Sequence, residues 1–420
     1  MTAPPYPPFE DPVAVAEQDT RYSYWPVAYQ FGDPTVISNA PLQLSGVQFS
    51  EVMRGVGQIK GSLQLADPEV RALYPWDKVI PRKTGIVVVR EVRDDVGDNW
   101  TSTVVQHYTV DAANPDPHDG RLTIEGTTVE GRWARSLITK AMTWTNVDQV
   151  EIPADLLDPA QFSQIPLGVG IWPGWITVDP PTALTGVLRT FTYDDRQETN
   201  LLEAHQNRSK LATNSYEWRT AVTVLVGSDA ASASVFRLQY IMGFPRLGRT
   251  LAGPFPTPRL RYDTRGVGNV VMFKRVHDGS NVVNIVWGRG NGYEDLQVKA
   301  VATNPEWLDG YLRSEGRFSD PDVKDQTTLT SYCYQQIWQS LSSEQYIARL
   351  TLAAGKYPTF GTYDIGDEMI LETNDPTWAP DLYNSDGYVE LLVRVYGWTV
   401  TPAQAGQPEL VELLVAGDIT

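Results

Sequence analysis

Two stretches near opposite ends of the chain echo one another weakly, as two similar small β units or chance would give, and this bears on the fold more than any single motif. "TGIVVVREV" leads to the segments "TVVQHYTV" and "HDGRLTIEG"; far downstream, "IGDEMILET" leads to "LLVRVYGWTV" and "AGQPELVELLVAG". The glycine of the first strand and that of the later turn lie 120 − 85 = 35 residues apart in one case and 406 − 366 = 40 in the other. Self-similarity of this kind suggests a repeated supersecondary unit. Its β-branched and aromatic runs suit strands. The 420 residues exceed one ordinary core, so two or three domains are expected. The 33 Gly and 30 Pro are scattered, which predicts many turns between short strands.

Between these units the pattern is mixed. Residues 1–20 read as a Pro-rich extended arm. "ADPEVRALYPW" predicts a helical turn opened by Asp67-Pro68. "TSTVVQHYTV", the loop "DAANPDPHDG" and "RLTIEGTT" predict a hairpin with a long turn, and "VEGRWARSLITKAM" a short helix closing the first unit. Val150, Leu156, Leu157 and Phe162 recur at helical intervals, as do Leu201, Leu202, His205 and Leu211. The segment around Trp172–Leu184 reads as a turn-rich link, and "SYEWRTAVTVLV" and "SVFRLQYIM" as strands. The clearest helix is "DQTTLTSYCYQQIWQSLSSEQY", with Leu329, Cys333, Ile337 and Leu341 four residues apart. Its Ile337 and Trp338 are expected to pack under the β unit that follows.

Charge and composition exclude several classes of function. Against 34 basic residues stand 51 acidic ones, a formal charge of −17, which repels nucleic-acid backbones and anionic membranes. Basic patches interleaved with aromatics are absent. Cys333 is the single cysteine, so neither an intramolecular disulfide nor a thiolate cluster can form. No apolar run reaches membrane-spanning length, and "MTAPPYPPFEDP" lacks the features of a signal peptide, so synthesis and assembly in a cytoplasm are expected.

The candidate chemistry is weak throughout. "RVHDGSNVVNIVWGRGNG" holds His277, Asp278 and Ser280 within four positions, followed by Gly288, Gly290 and Gly292. A triad needs separate elements aiming its groups at one point, and "HDGSN" is made of turn formers. A phosphate loop must open a helix, whereas Leu296, Val298 and Ala300 resume a strand-like alternation. The segment therefore reads as a hairpin turn, a strand and a flexible exit into the next strand. His107, His118, His205 and His277 are not at metal-ligand spacing. The acidic turns "NPDPHDG" and "TNDPTWAPDLYNSDG" lack the spacing of a calcium loop, although a loosely held cation is conceivable there. Asp367 and Glu368 are adjacent on a strand and should face opposite ways, which argues against a glycosidase pair. The 13 tryptophans, Trp76, Trp133, Trp218, Trp287 and Trp338 among them, are spread as for several cores. No catalytic, cofactor-binding or metal-ligating residue is assigned.

The order of segments resembles the tail hub proteins, also called minor tail or baseplate hub proteins, of long-tailed phages of actinobacteria. The matching pieces run from "GQIKGSLQLADPEVRALYPWDKVIPRKTGIVVVREV" through "RLTIEGTTVEGRWARSLI", "DQVEIPADLLDPAQFSQ" and "TYDDRQETNLLEAHQNRSKLATNSYEWRTAV" to "DGSNVVNIVWGRGNG" and "YDIGDEMIL". The resemblance covers nearly everything from about Ser45 onward; the Pro-rich arm and the 172–184 link match least. It implies a phage tail hub fold of class α+β, two β-barrel-like domains flanking inserted α+β material. The implied boundaries are an arm at 1–20, a first barrel-like domain at 21–145, an insertion at 146–265, and a second barrel-like domain at 266–420 with a helix at about 325–346. It implies a homotrimer that presents six barrels in a ring and joins a hexameric tail tube to three-fold tip or fibre proteins at the virion's tail tip. The implied partners are the distal tail protein, the tape-measure protein and a downstream fibre or receptor-binding tip protein. DNA is met only in transit, with no stable membrane insertion, no cofactor and no enzymatic activity. Two rival readings are a tail-associated cell-wall glycan hydrolase, marked by a cleft with two facing carboxylates, and a carbohydrate-binding module, marked by a row of exposed Trp on one sheet face.

Overall fold

The computed structural model describes residues 22–30, 33–36, 42–73, 79–93, 100–138, 141–157, 178–179, 184–193, 199–209, 215–225, 235–251, 258–266, 268–293, 296–304, 312–320, 323–341, 345–378, 380–404 and 408–419. The first part of the chain forms β1 (Tyr22–Gln30), β2 (Asp33–Val36), β3 (Ser45–Val52), β4 (Gln58–Gln64), α1 (Pro68–Leu73), β5 (Thr84–Arg93), β6 (Trp100–Asp116), β7 (Arg121–Thr127) and α2 (Val129–Trp133). The middle forms β8 (Met142–Asp148), α3 (Glu151–Leu156), β9 (Val178–Asp179), β10 (Leu188–Tyr193), α4 (Leu201–Ser209), β11 (Glu217–Leu225) and β12 (Val235–Gly243). There follow β13 (Arg259–Tyr262), β14 (Val270–His277), β15 (Ile285–Arg289), β16 (Lys299–Thr303), β17 (Glu315–Ser319) and α5 (Gln326–Leu341). The last strands are β18 (Gln345–Ala353), β19 (Glu368–Thr373), β20 (Val389–Thr401) and β21 (Leu410–Ile419). The described residues are thus mostly β-sheet with few helices, and α5, at 16 residues, is the longest of these. None of the described helices is long and apolar enough to cross a membrane.

The sequence echo is a repeated meander. Strands β5, β6 and β7 pair antiparallel in succession, and so do β19, β20 and β21. Each meander gains a fourth strand on its last member, β4 on β7 and β18 on β21. Strand β3 pairs both β4 and β20, joining the two ends of the chain in one 13-stranded sheet. Period-2 alternation sets the faces: along β4, Ile59 and Leu63 are buried while Gln58, Lys60 and Gln64 are exposed. A single core collects both ends, with Phe49, Ile59, Ile86 and Tyr108 from one and Leu350, Met369, Val393 and Trp398 from the other. The Phe49 and Trp398 rings meet edge-on at 6.0 Å across the β3–β20 pairing. Each fully buried side chain of this kind contributes about 1.5–3 kcal/mol.

Two smaller cores lie beside this sheet. The first stacks Trp133 of α2, His205 of α4, and Trp218 and Tyr240 of the β11–β12 pair, with ring centroids 5.1 to 6.1 Å apart. The expected helical face of Leu201, Leu202 and His205 is buried here; Leu211, Phe162 and Trp76 lie outside the described residues. The second small core lies between α5 and the three-stranded sheet β16-β15-β17 and holds Val286, Ala300, Ala302, Leu329, Cys333 and Ile337.

Three local expectations are corrected. Neither Ile337 nor Trp338 packs under the final β unit: α5 turns Leu329, Cys333 and Ile337 to its own small sheet and the neighbouring position outward, leaving Trp338 61% exposed. "HDGSN" is not a hairpin turn, since β14 pairs with β18 whereas β15 pairs with β16 and β17; the segment passes between two sheets. The loop "DAANPDPHDG" is mostly strand, as β6 continues through Pro115, opposite Leu122, to Asp116, opposite Arg121. Proline fits there because β5 pairs β6 only as far as Thr109, leaving the missing N–H on an open edge.

Candidate functional site

The residues singled out from sequence do not converge on one site: His205 meets Trp133 and Trp218 in a core, and the other candidates lie apart from it. His107 and His205 are buried, and burial pushes both imidazoles down to about 3. His118 and His277 are exposed. Asp278 accepts the Ser280 N–H at 2.9 Å, an Asx-type turn that needs no catalytic role. Gly288 is required by packing: a Cβ there would sit 2.6 Å from Cys333 Sγ. Gly292, at φ +100°, lies in the turn that leads from β15 to β16. Of the tryptophans, Trp133 and Trp218 share one core while Trp287 and Trp338 are exposed. No group of three or more potential ligands that could hold a metal ion occurs among the described residues.

What does converge is a charged seam where β11 and β12 meet both meanders. Arg394, in the apolar run of β20, donates to both Glu217 oxygens, one at 2.6 Å. Its Nη2 also donates to Leu247 O at 2.9 Å and its Nε to Gly366 O at 3.1 Å. Both side chains are more than nine-tenths buried. Burial alone would raise the Glu217 carboxyl, but the Arg394 bonds and the Leu247 N–H hold it below the ordinary value. The pair is a clamp. It ties the start of β11 to the last meander and to the segment after β12, through bidentate, charge-assisted bonds.

A second cluster lies alongside. Arg219 of β11 reaches Glu51 of β3 at 3.3 Å through Nη1 and Asp364 through Nη2. Glu51 is 5% exposed, and burial drives its carboxyl up to about 8, with Arg219 pulling the other way and Asp364 and Glu130 adding to the rise. Glu130 of α2 is buried as well, accepts the Thr220 hydroxyl, and is raised by burial. Asp367 and Glu368, weighed above as a carboxylate pair, are each occupied by cations. Arg249 donates to Asp367, and Arg246 approaches Glu368 at 3.3 Å. At the crossing beside them Gly248 and Gly366 touch backbone to backbone: a Cβ on Gly248 would stand 2.2 Å from Gly366 C. Both have positive φ, so glycine is needed twice over.

Ties also run directly between the outer meanders. The Tyr24 hydroxyl donates to Glu409 at 2.5 Å and Arg90 donates to Phe360 O at 2.5 Å. Taken together, these groups lock remote segments in one arrangement. The arrangement suits a rigid scaffold.

No family model matches the chain, and no curated protein matches it. Among solved structures, the tail protein from Neisseria meningitidis MC58 aligns over 94% of this chain and 97% of its own, with a TM-score of 0.55 and 10% identity. The 43 kDa tail protein of prophage MuSo2 from Shewanella oneidensis aligns over 93% of this chain and 98% of its own, with a TM-score of 0.52 and 11% identity. Both neighbours are tail proteins. At such identities the likeness is one of fold, and the chain has a mostly β-sheet fold similar to that of phage tail proteins.

Proposed function

We propose that this chain is a structural virion protein of a phage tail, the hub at its tip. The observation that carries the reading is the repeated meander fused by β3 into one sheet and clamped by Arg394–Glu217. A scaffold with the same unit twice per chain can present six similar units from three chains. That would match a hexameric tube above to three-fold proteins below. The two meanders would be the cores of two β-barrel-like domains, near 21–145 and 266–420, flanking the insertion at 146–265. The partners would be two further copies, the distal tail protein, the end of the tape-measure protein and a downstream fibre or receptor-binding protein. The placement among phages of actinobacteria rests on the ordered sequence segments alone.

Opening and closing of the DNA channel would be mechanical. With −17 per chain, an acidic inner wall would repel the duplex and let it slide, whereas a basic wall would bind phosphates and stall it. Antibodies raised against the purified chain should label one end of the tail in electron micrographs. Labelling of the capsid or of the whole tube would refute the hub reading. Turnover of host peptidoglycan by the purified chain, abolished by one acidic substitution, would favour the hydrolase instead.

A further inference from the structure

The small sheet β16-β15-β17 buries one face under α5 and leaves the other open. Register defines the open face. Arg289 lies between Lys299 and Ser319, and Trp287 between Val301 and Arg317. All six are exposed; Trp287 and Val301, large and apolar, are 44% and 45% so. Glu315 is the one acid of this face among the described residues, and it is engaged by the Trp287 indole N–H at 3.1 Å and by Arg313. Arg289, Lys299 and Arg317 have no ion pair among the described residues. Counting Arg313 with them, the described residues of the patch carry four cations against one carboxylate, a net +3, in a chain whose total is −17.

We infer that this face is an interface that receives an acidic surface of a second copy of the same chain. The inference rests on the three-copy reading above and names the surface it would use. Identical acidic chains repel, and a patch of opposite sign lowers that repulsion where it meets the neighbour. A cyclic ring is built from heterologous contacts, in which one patch meets a different patch of the neighbour. A net-positive patch on a net-negative chain provides the two unlike partners within one sequence. The composition also suits a protein contact: exposed Trp and Arg around an apolar centre are the residues that dominate binding between proteins. A flat face with one indole offers little to a chain of sugars or bases, which needs successive stacking platforms.

The test uses the full chain, as wild type, as the charge-reversed Arg289→Glu/Arg317→Glu double variant, as Trp287→Ala, and as Lys83→Glu, a cation outside this face. Their self-association is followed by sedimentation at 50 and 500 mM salt. The wild type should form trimers that weaken with salt. The double variant and Trp287→Ala should weaken association at least tenfold, and Lys83→Glu should not. An equal mixture of ¹⁴N- and ¹⁵N-labelled chains, treated with a zero-length amine–carboxyl cross-linker, should yield isotopically mixed links at Lys299. Trimers that ignore both face variants, or mixed links that avoid Lys299, would overturn this inference and leave the three-copy reading standing. A wild type that stays monomeric over the accessible concentrations would overturn both. Retention of single-stranded DNA or an anionic glycan by the wild type, lost in the double variant, would overturn it in favour of a polyanion.

Discussion

Replacing Glu51 with glutamine should stabilise the protein, and by an amount that depends on pH. Glu51 sits in β3, 5% exposed, and its one cation, Arg219, is shared with Asp364. Burial outweighs that attraction and lifts the carboxyl from 4.5 to about 8. The sign follows from proton counting. Between those values the folded chain holds a proton that the unfolded chain has lost, so stability falls as the pH rises from 4.5 to 8. The rise from 4.5 to about 8 corresponds to about 5 kcal/mol at ~1.4 kcal/mol per pH unit, of which roughly 4 is lost by pH 8, where the folded group is half ionised. The substituted amide keeps the shape and an acceptor for Arg219 but carries no charge to desolvate. Thermal midpoints of wild type and Glu51→Gln should therefore coincide near pH 4.5 and separate steadily toward pH 8, with the variant higher. A variant that is lower at pH 8, or a gap that does not change with pH, would mean that Glu51 is ionised and that its pairing with Arg219 stabilises the fold.

Other perturbations should behave as follows. His107 and His205, held neutral down to about 3, contribute stability that is complete above 6.5 and lost as the pH falls toward 3; two such groups outweigh Glu51 below 6.5 and Glu51 alone acts above it, so the wild-type midpoint should peak near pH 6.5 and decline on both flanks. A flat profile would contradict the buried neutral assignments. Removing one partner of the clamp, by Arg394→Met or Glu217→Gln, should cost about 3–5 kcal/mol, and a loss below about 1 would show that water reaches the pair. On α5, Ile337→Ala should cost about 2–5 kcal/mol and Trp338→Ala less than about 0.5, because one is buried and the other is not. Denaturant unfolding of the two variants measures this, and the reverse order would invert the helix face.

Much of the scaffold was legible because apolar periodicity reports burial directly. The runs "TGIVVVREV" and "VELLVRVYGWTV" could only be strands, and the echo between them became the repeated meander. Leu329, Cys333 and Ile337 marked the inner face of α5 for the same reason. The seam was harder to see. Arg394 is the one basic residue in the largely apolar strand β20, which signals a buried partner, but nothing local identifies that partner as Glu217, 177 residues away. Pairing across sheets is likewise silent in sequence. "HDGSN" has hairpin composition, yet its flanking strands belong to different sheets, since turn residues specify only a change of direction. Trp338 shows the opposite limit: an aromatic next to a helical stripe looks like core until the neighbouring surface is known.

The central claim is a three-fold hub at the end of a tail tube, and a cryo-electron microscopic reconstruction of the assembled tail tip, made without imposed symmetry, tests it most directly. The account predicts three copies of this chain around the channel, their repeated meanders forming a six-membered ring against the tube and acids outnumbering Lys and Arg on its inner wall. Any other copy number or symmetry for this chain, or its absence from the tip, would contradict the hub reading.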